Sequence, residues 1–310
     1  MSSTMAEKVD QKIEVSEQVV QEKTASWFYL GKKRRRQIAD IAAWLVLAIG
    51  AAVAVFPFLW MVSTSLKDIS EVYTFPPTFV PEVWRPGNYI EAWRRIPFAT
   101  FFKNSAVVSG SVALGQMFTC SLAGFAFSRL RFPGRDKIFL IYLATMMIPF
   151  AVIMIPLYIV IQWLNWVDSH LALIVPAMVS VFGTFLMRQF FLSTPQELID
   201  AGRIDGCSYF RIYWTIMVPL AKPALATLGI LTFMNTWNDF LWPLIVISTI
   251  PQKTLPLGLL MFVEQSAMKT PWNLMMAAGT FSILPILVVF ALGQKYYVQG
   301  IVTSGLKGGA

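Results

Sequence analysis

The sequence predicts an all-α, polytopic membrane protein with about six transmembrane helices and cytoplasmic N- and C-termini. Three observations predict it. The first is composition: of 310 residues, 56% are hydrophobic and only 14% charged, with a mean hydropathy of +0.60. Soluble domains run at roughly 45–50% and about 25%. The second is length, because six apolar stretches approach or exceed the ~20 residues that carry a helix across a bilayer. They lie at 38–62, 104–127, 138–160, 171–192, 223–247 and 274–298. The third is the placement of Lys and Arg, which mark the cytoplasmic side. Lys32, Lys33, Arg34, Arg35 and Arg36 precede the first stretch, and Arg129, Arg131, Arg135 and Lys137 follow the second. Arg188, Arg203, Arg211 and Lys222 gather after the fourth, while the connection 162–169 has no basic residue. The formal charge of +8 is therefore topological, and no nucleic-acid-binding spacing accompanies it.

Taken in order, residues 1–37 read as a cytoplasmic tail, polar and mixed in charge, ending in the basic cluster. They lack the pattern of a cleavable signal, so the first stretch reads as an uncleaved anchor. Residues 38–310 read as one transmembrane domain. Its outer loop 67–103 carries Arg85, Arg94, Arg95 and Lys103 against the general trend. Within that loop, 88–102 is amphipathic, with Tyr89, Ile90, Trp93 and Ile96 on one flank, and reads as an interfacial helix on the outer leaflet. A second outer loop covers 248–273. Pro149 and Pro156 free backbone carbonyls in the third stretch and predict a bend there. The tail 299–310 contains four glycines and reads as a segment that only a partner would order.

The polar segment 194–223 interrupts this pattern. It carries Glu197, Asp200, Arg203, Asp205 and Arg211 between long apolar runs, charges that a span would not tolerate without partners. Thr194 is placed to cap a helix, Pro195 suits the first helical position, and Glu197 would close a capping box. Asp205-Gly206 then breaks the helix. The expectation is two short helices joined by a tight turn at the membrane surface. Ala201, Gly202 and Gly206 would leave it smooth enough for another protein to approach closely.

Several chemistries are excluded. One histidine, His170, and two cysteines, Cys120 and Cys207, are too few and too scattered for a metal centre or a disulfide framework. No G-x-x-x-x-G-K-[ST] occurs, so no nucleotide site and no bound cofactor are expected in this chain. Neither a Ser-His-Asp nor a Cys-His arrangement is present. In the fifth stretch Asn235, Asn238 and Asp239 stand at i, i+3 and i+4, which would place them on one helical face. That face suits either a water-filled path or a helix-to-helix tie.

Residues 195–223 resemble the signature loop of importer permeases of the ATP-binding-cassette family. That pattern is E-A-A, three residues, Gly, nine residues, then I-x-L-P. Asp200-Ala201-Gly202 stand at E-A-A, Gly206 at the glycine, and Ile216, Val218 and Pro219 at the close. The departures are Asp for Glu, Gly for the second Ala and Val for Leu. Segments 61–67 (MVSTSLK), 123–135 (AGFAFSRLRFPGR), 237–243 (WNDFLWP), 254–259 (TLPLGL) and 294–308, with Asn104-Ser105, are similar to carbohydrate-uptake permeases of the MalG type. The resemblance runs from about Val62 to the end.

The resemblance implies an importer-permease core in the cell (inner) membrane, surrounded by lipid, that is not itself an enzyme. It implies a second, MalF-like permease as heterodimer partner and an extracytoplasmic sugar-binding protein. It also implies two cytoplasmic ATPase subunits, which would bind ATP and Mg. Coupling to them falls on Glu197, Asp200, Ala201, Gly202, Asp205, Gly206, Tyr209 and Phe210, and tail contacts on Gln299, Gly300 and Lys307. Asn235, Trp237, Asn238 and Asp239 become candidates for lining the path, with Trp237 and Trp242 able to stack on sugar rings. The alternative for those tryptophans is an outer aromatic belt. The alternative for the whole chain is a stand-alone secondary transporter or channel, which would call for inverted repeats and buried ion-coupling carboxylates.

Overall fold

The computed structural model describes residues 32–264 and 269–305, and every regular element among the described residues is a helix. The chain forms two units, Met1–Trp60 and Met61–Ala310. The first helix, α1 (Lys32–Ser65), begins inside the basic cluster and crosses that boundary. It is followed by α2 (Gly87–Arg95), α3 (Phe98–Arg129), α4 (Arg135–Ala144), α5 (Phe150–Trp163), α6 (Leu171–Ala177) and α7 (Val181–Ser193). Then come α8 (Glu197–Ile204), α9 (Tyr209–Ile212), α10 (Lys222–Trp237), α11 (Leu241–Val246), α12 (Leu255–Glu264) and α13 (Trp272–Gly305).

Among the described residues, four helical segments are long and apolar enough to cross a membrane, and up to six if each of two bent pairs is one crossing. The third crossing is bent by 102° between Arg135–Met147 and Phe150–Trp163. Pro149 sits at that corner with extended backbone, whereas Pro156 stays within α5. The predicted bend therefore belongs to Pro149 alone.

Four boundaries differ from the sequence expectation. The amphipathic helix ends at Arg95 because Ile96, which precedes Pro97, is extended (φ −126°, ψ 162°). The second crossing then starts at Phe98, ahead of 104. Nor does α2 simply lie on lipid: Tyr89 and Trp93 each meet the Phe281 ring of α13 edge-on at 5.4 Å. The fifth crossing stops at Trp237, with a break before α11. The tail expected to be unfolded from Gly300 continues α13 as helix through Gly305.

Glycines set how closely the helices approach. A Cβ at Gly124 of α3 would meet the Arg188 backbone nitrogen of α7 at 2.8 Å, and one at Gly258 would fall on the Phe101 ring. α3 accordingly packs along α7 and α10 as the central helix of the second unit. The helix is interrupted between α6 and α7, and α3 satisfies the carbonyls this frees. Gln116 Nε2 donates to Ala177 O at 2.7 Å, Thr119 Oγ1 to Met178 O at 2.5 Å and Cys120 Sγ to Ser180 O at 3.4 Å. At the outer end, Asn104 Nδ2 donates to the carbonyls of Pro251 and Lys253 (2.8 and 2.9 Å), and Ser105 Oγ accepts from Leu255 N at 2.8 Å. Asn104-Ser105 thus clamps the start of α12.

Candidate functional site

Residues 194–223 fold as two short helices joined by a turn, and each joint has an identifiable cause. The turn after α8 is a Schellman arrangement. Cys207 N donates to Gly202 O at 2.9 Å and Gly206 N to Arg203 O at 3.1 Å. Gly206 has φ +75°, with nothing within 4 Å of where a Cβ would stand. Its glycine is required by the backbone and not by crowding. The next helix starts on Ser208, whose Oγ accepts from Arg211 N at 3.3 Å.

The start of α8 differs from expectation. Thr194 does not cap it, and no capping box with Glu197 forms. Instead Thr194 closes α7 with extended backbone (φ −76°, ψ 138°), and α8 begins at Glu197 without a side-chain cap. The reason is Arg129, at the end of α3. Its Nη2 donates to the carbonyls of Phe191 and Thr194, and its Nη1 to Gln196 Oε1 at 2.6 Å. Gln196 Nε2 in turn donates to Asp200 Oδ1 at 3.0 Å. A guanidinium from a membrane-crossing helix therefore satisfies the carbonyls that close α7 and positions Gln196, while the first N–H groups of α8 stay without a side-chain cap.

Gly202 is also used differently. It is buried, and a Cβ there would meet Ile212 Cγ1 at 3.1 Å. It lets α8 pack onto α9 within the chain and is not offered to a partner. Ile199, Ile212, Tyr213 and Met217 are all no more than 2% exposed and rest on Phe125, Met187 and Phe191. Tyr213 Oη shares a 2.6 Å hydrogen bond with Ser121 Oγ of α3.

Above this base the segment presents an apolar end to solvent. Ile204 is 86% exposed, Phe210 64% and Tyr209 41%. Arg203 lies over the Tyr209 ring at 4.7 Å and donates from Nη1 to Cys207 O at 3.2 Å, which stiffens the tip. Glu197, Asp200, Ala201, Asp205 and Gly206 are exposed around it. Arg129, Gln196, Ser208 and Ile204 were missed from sequence. Ser208, directly ahead of the next helical run, was the one with a readable signal.

The candidate path residues separate. Asn238 is the residue that ends α10, with its Nδ2 donating back to Met234 O at 2.8 Å. Asp239 lies beyond the helix, its backbone N donating to Thr236 O at 3.3 Å ahead of α11. Asn235, Asn238 and Asp239 therefore do not form one helical stripe. Asn235 is exposed, but Trp237 is 2% exposed, stacked at 5.5 Å on Phe233, and its Nε1 donates to Ser282 O at 3.0 Å. Trp242 is buried too, with Nε1 donating to Ala172 O at 3.0 Å. Neither indole is placed to stack on a sugar ring or to form an aromatic belt. Of the tail, Gln299 and Gly300 belong to the backbone of α13, and Lys307 lies outside the described residues.

Comparison with known proteins follows the same outline. The profile of the family described as binding-protein-dependent transport system inner membrane component matches residues 117–303. The chain is 33% identical to the probable ABC transporter permease protein YurM of Bacillus subtilis, over 89% of this chain and 91% of that one. It is 34% identical to the arabinooligosaccharides transport system permease protein AraQ of Halalkalibacterium halodurans, over 88% of this chain and all of that one. Identity to the sn-glycerol-3-phosphate transport system permease protein UgpE of Yersinia pestis is 35%, over 87% and 98%. Among solved structures, a bacterial ABC transporter that imports the acidic polysaccharide alginate shares the fold. That match has a TM-score of 0.77 and 23% identity, over 87% of this chain and 99% of that one.

Proposed function

This chain belongs to the family of inner-membrane components of binding-protein-dependent transport systems, and from that premise we propose that it forms half of a sugar or oligosaccharide pathway driven by ATPases docked on residues 194–223. It is a multi-pass permease of an ABC importer in the cell membrane. The other half of the pathway is a second, MalF-like permease, and an extracytoplasmic binding protein delivers the cargo. The chain carries no catalytic group of its own; ATP and Mg are bound by two partner ATPase subunits. Relatives named for arabinooligosaccharides and for sn-glycerol 3-phosphate support a hydroxyl-rich cargo, a saccharide first and its phosphate-bearing small relatives second.

The observation that carries this reading is the exposed apolar tip, Ile204, Tyr209 and Phe210, on a base whose residues are almost wholly buried. Exposed apolar surface ringed by polar residues on a rigid mount marks a protein contact. The mount reaches into the membrane in two ways. Arg129 ties it to α3, and residues 209–220 run into α10 across a 77° bend. A displacement imposed on the tip is therefore delivered to two crossing helices at once.

The test is purification of the complex in mild detergent, followed by reconstitution with the binding protein. An ATPase and a second permease should co-purify, and saccharide uptake should require ATP. Uptake driven by an ion gradient without any ATPase would favour the secondary-transporter reading instead.

A further inference from the structure

The corner between α3 and α4 carries a second concentration of charge, outside residues 194–223. Residues 131–137 surround a shallow cleft of about 750 Å³, lined by Arg131, Phe132, Arg135, Asp136 and Lys137 among others. Three cations face a single carboxylate there, and that carboxylate is already shared. Asp136 Oδ1 takes Arg135 Nε at 3.0 Å and Arg188 Nη2 at 3.5 Å. Arg135 is braced further by donating from Nη1 to Leu130 O at 3.3 Å. Arg131 and Lys137 are exposed, and their charged ends have no partner among the described residues.

The surface next to this cleft is apolar. Ile138, Leu140 and Ile141, at the start of a membrane-crossing helix, are 49%, 68% and 70% exposed, and Phe132 is 37% exposed beside them. Aliphatic side chains there face acyl chains, which puts the cleft at headgroup level on the side that Lys and Arg mark as cytoplasmic. We propose that this cleft holds the headgroup of an anionic phospholipid, with its acyl chains lying along Ile138 and Ile141. Arg131 and Lys137 neutralise the phosphate, while Arg135, held by Asp136, fixes the shape of the pocket. Basic groups at the cytoplasmic surface attract anionic lipid, each strengthening the association about fivefold.

The experiment is intact-mass spectrometry of the full chain in detergent carrying phosphatidylglycerol and phosphatidylcholine together. The wild-type chain should retain phosphatidylglycerol in preference. The double variant Arg131→Gln, Lys137→Gln should lose that preference by about thirtyfold, as two such charges require. Both side chains are exposed, so the variant folds. Arg131→Lys should keep most of the preference, and removal of two outer-side charges by Arg94→Gln, Arg95→Gln should leave it unchanged. A double variant that still prefers phosphatidylglycerol, or a wild-type chain with no preference, overturns the proposal. So does displacement of the lipid by inorganic phosphate, which would make the ligand a free anion. Loss of ATPase capture by the double variant with lipid preference intact would give this face to a protein partner instead.

Discussion

Arg129, the last residue of α3, donates from Nη1 to Gln196 Oε1 at 2.6 Å, which joins a membrane-crossing helix to the residue that opens α8. With Nη2 on the Phe191 and Thr194 carbonyls, one guanidinium holds the whole entry to the coupling segment. Arg129→Ala should remove these bonds at a cost of about 1–3 kcal/mol, the range for hydrogen bonds to charged groups allowing for partial exposure. Amide exchange in α8 should speed up by roughly five- to a hundredfold while α3 exchanges as before. Arg129→Lys, which keeps the charge but loses the fork, should fall between. Unchanged exchange in α8 would show that the entry is held by packing alone.

The two glycines of the segment should respond differently. Gly206 is constrained by its backbone, so Gly206→Ala and Gly206→Leu should each cost about 1–2 kcal/mol in the isolated chain, nearly independent of bulk. Gly206→Asn should cost less, since Asn tolerates that conformation. Gly202 is constrained by space, and there Leu should be clearly worse than Ala, with overpacking of about 1–3 kcal/mol against Ile212. Thermal unfolding in detergent distinguishes them. A steep dependence on size at Gly206 and a flat one at Gly202 would invert the assignment.

Much of this architecture was legible in the sequence, and the failures share a cause. Six crossings, the corner at Pro149 and the helix–turn–helix at 197–212 all follow from local composition, proline and glycine. The start of α8 escapes the sequence because Arg129, more than sixty residues away, holds the Thr194 carbonyl and the Gln196 side chain where a local capping box is expected. The supposed stripe at Asn235, Asn238 and Asp239 was misread because helical spacing holds only while the helix lasts, and α10 ends at Trp237. The chemistry of Trp237 and Trp242 suits either a sugar ring or an outer aromatic belt, whereas both indole nitrogens have backbone carbonyls inside the fold.

The outer corner should be sensitive to acid. Asp168 Oδ1 accepts from Ser248 N and Thr249 N at 2.8 and 2.9 Å. Partial burial pushes its pKa up, but these backbone donors outweigh that and hold it below the usual carboxylate value. A depressed pKa means that the ionised form stabilises the corner above the unfolded value near 3.9 and that this stability fades as pH falls through the folded value. Thermal unfolding of the wild-type chain should therefore weaken below about pH 4 more than that of Asp168→Asn. Parallel acid profiles for the two would remove Asp168 from the account.

Sidedness can be read by labelling in a background of Cys120→Ala and Cys207→Ser. A cysteine at Asp205 should react only with reagents that enter the cytoplasm. One at Phe75, which is 94% exposed in the outer loop, should react with impermeant reagents applied outside. Reaction of both positions from the same side would overturn the topology.

The central claim is that the apolar tip docks the ATPase. Ile204→Asp and Phe210→Asp alter side chains that are 86% and 64% exposed, so insertion and thermal stability of the chain itself should change little. An aromatic anchor in a contact of this kind contributes about 2 kcal/mol or more, and a buried, unpaired carboxylate adds to the loss. The decisive measurement is retention of the ATPase subunits on the purified permease pair, wild type against Phe210→Asp. The account predicts a loss of roughly thirtyfold or more in apparent affinity, with ATP-dependent uptake lost in parallel. Wild-type retention and wild-type uptake by Phe210→Asp would contradict it.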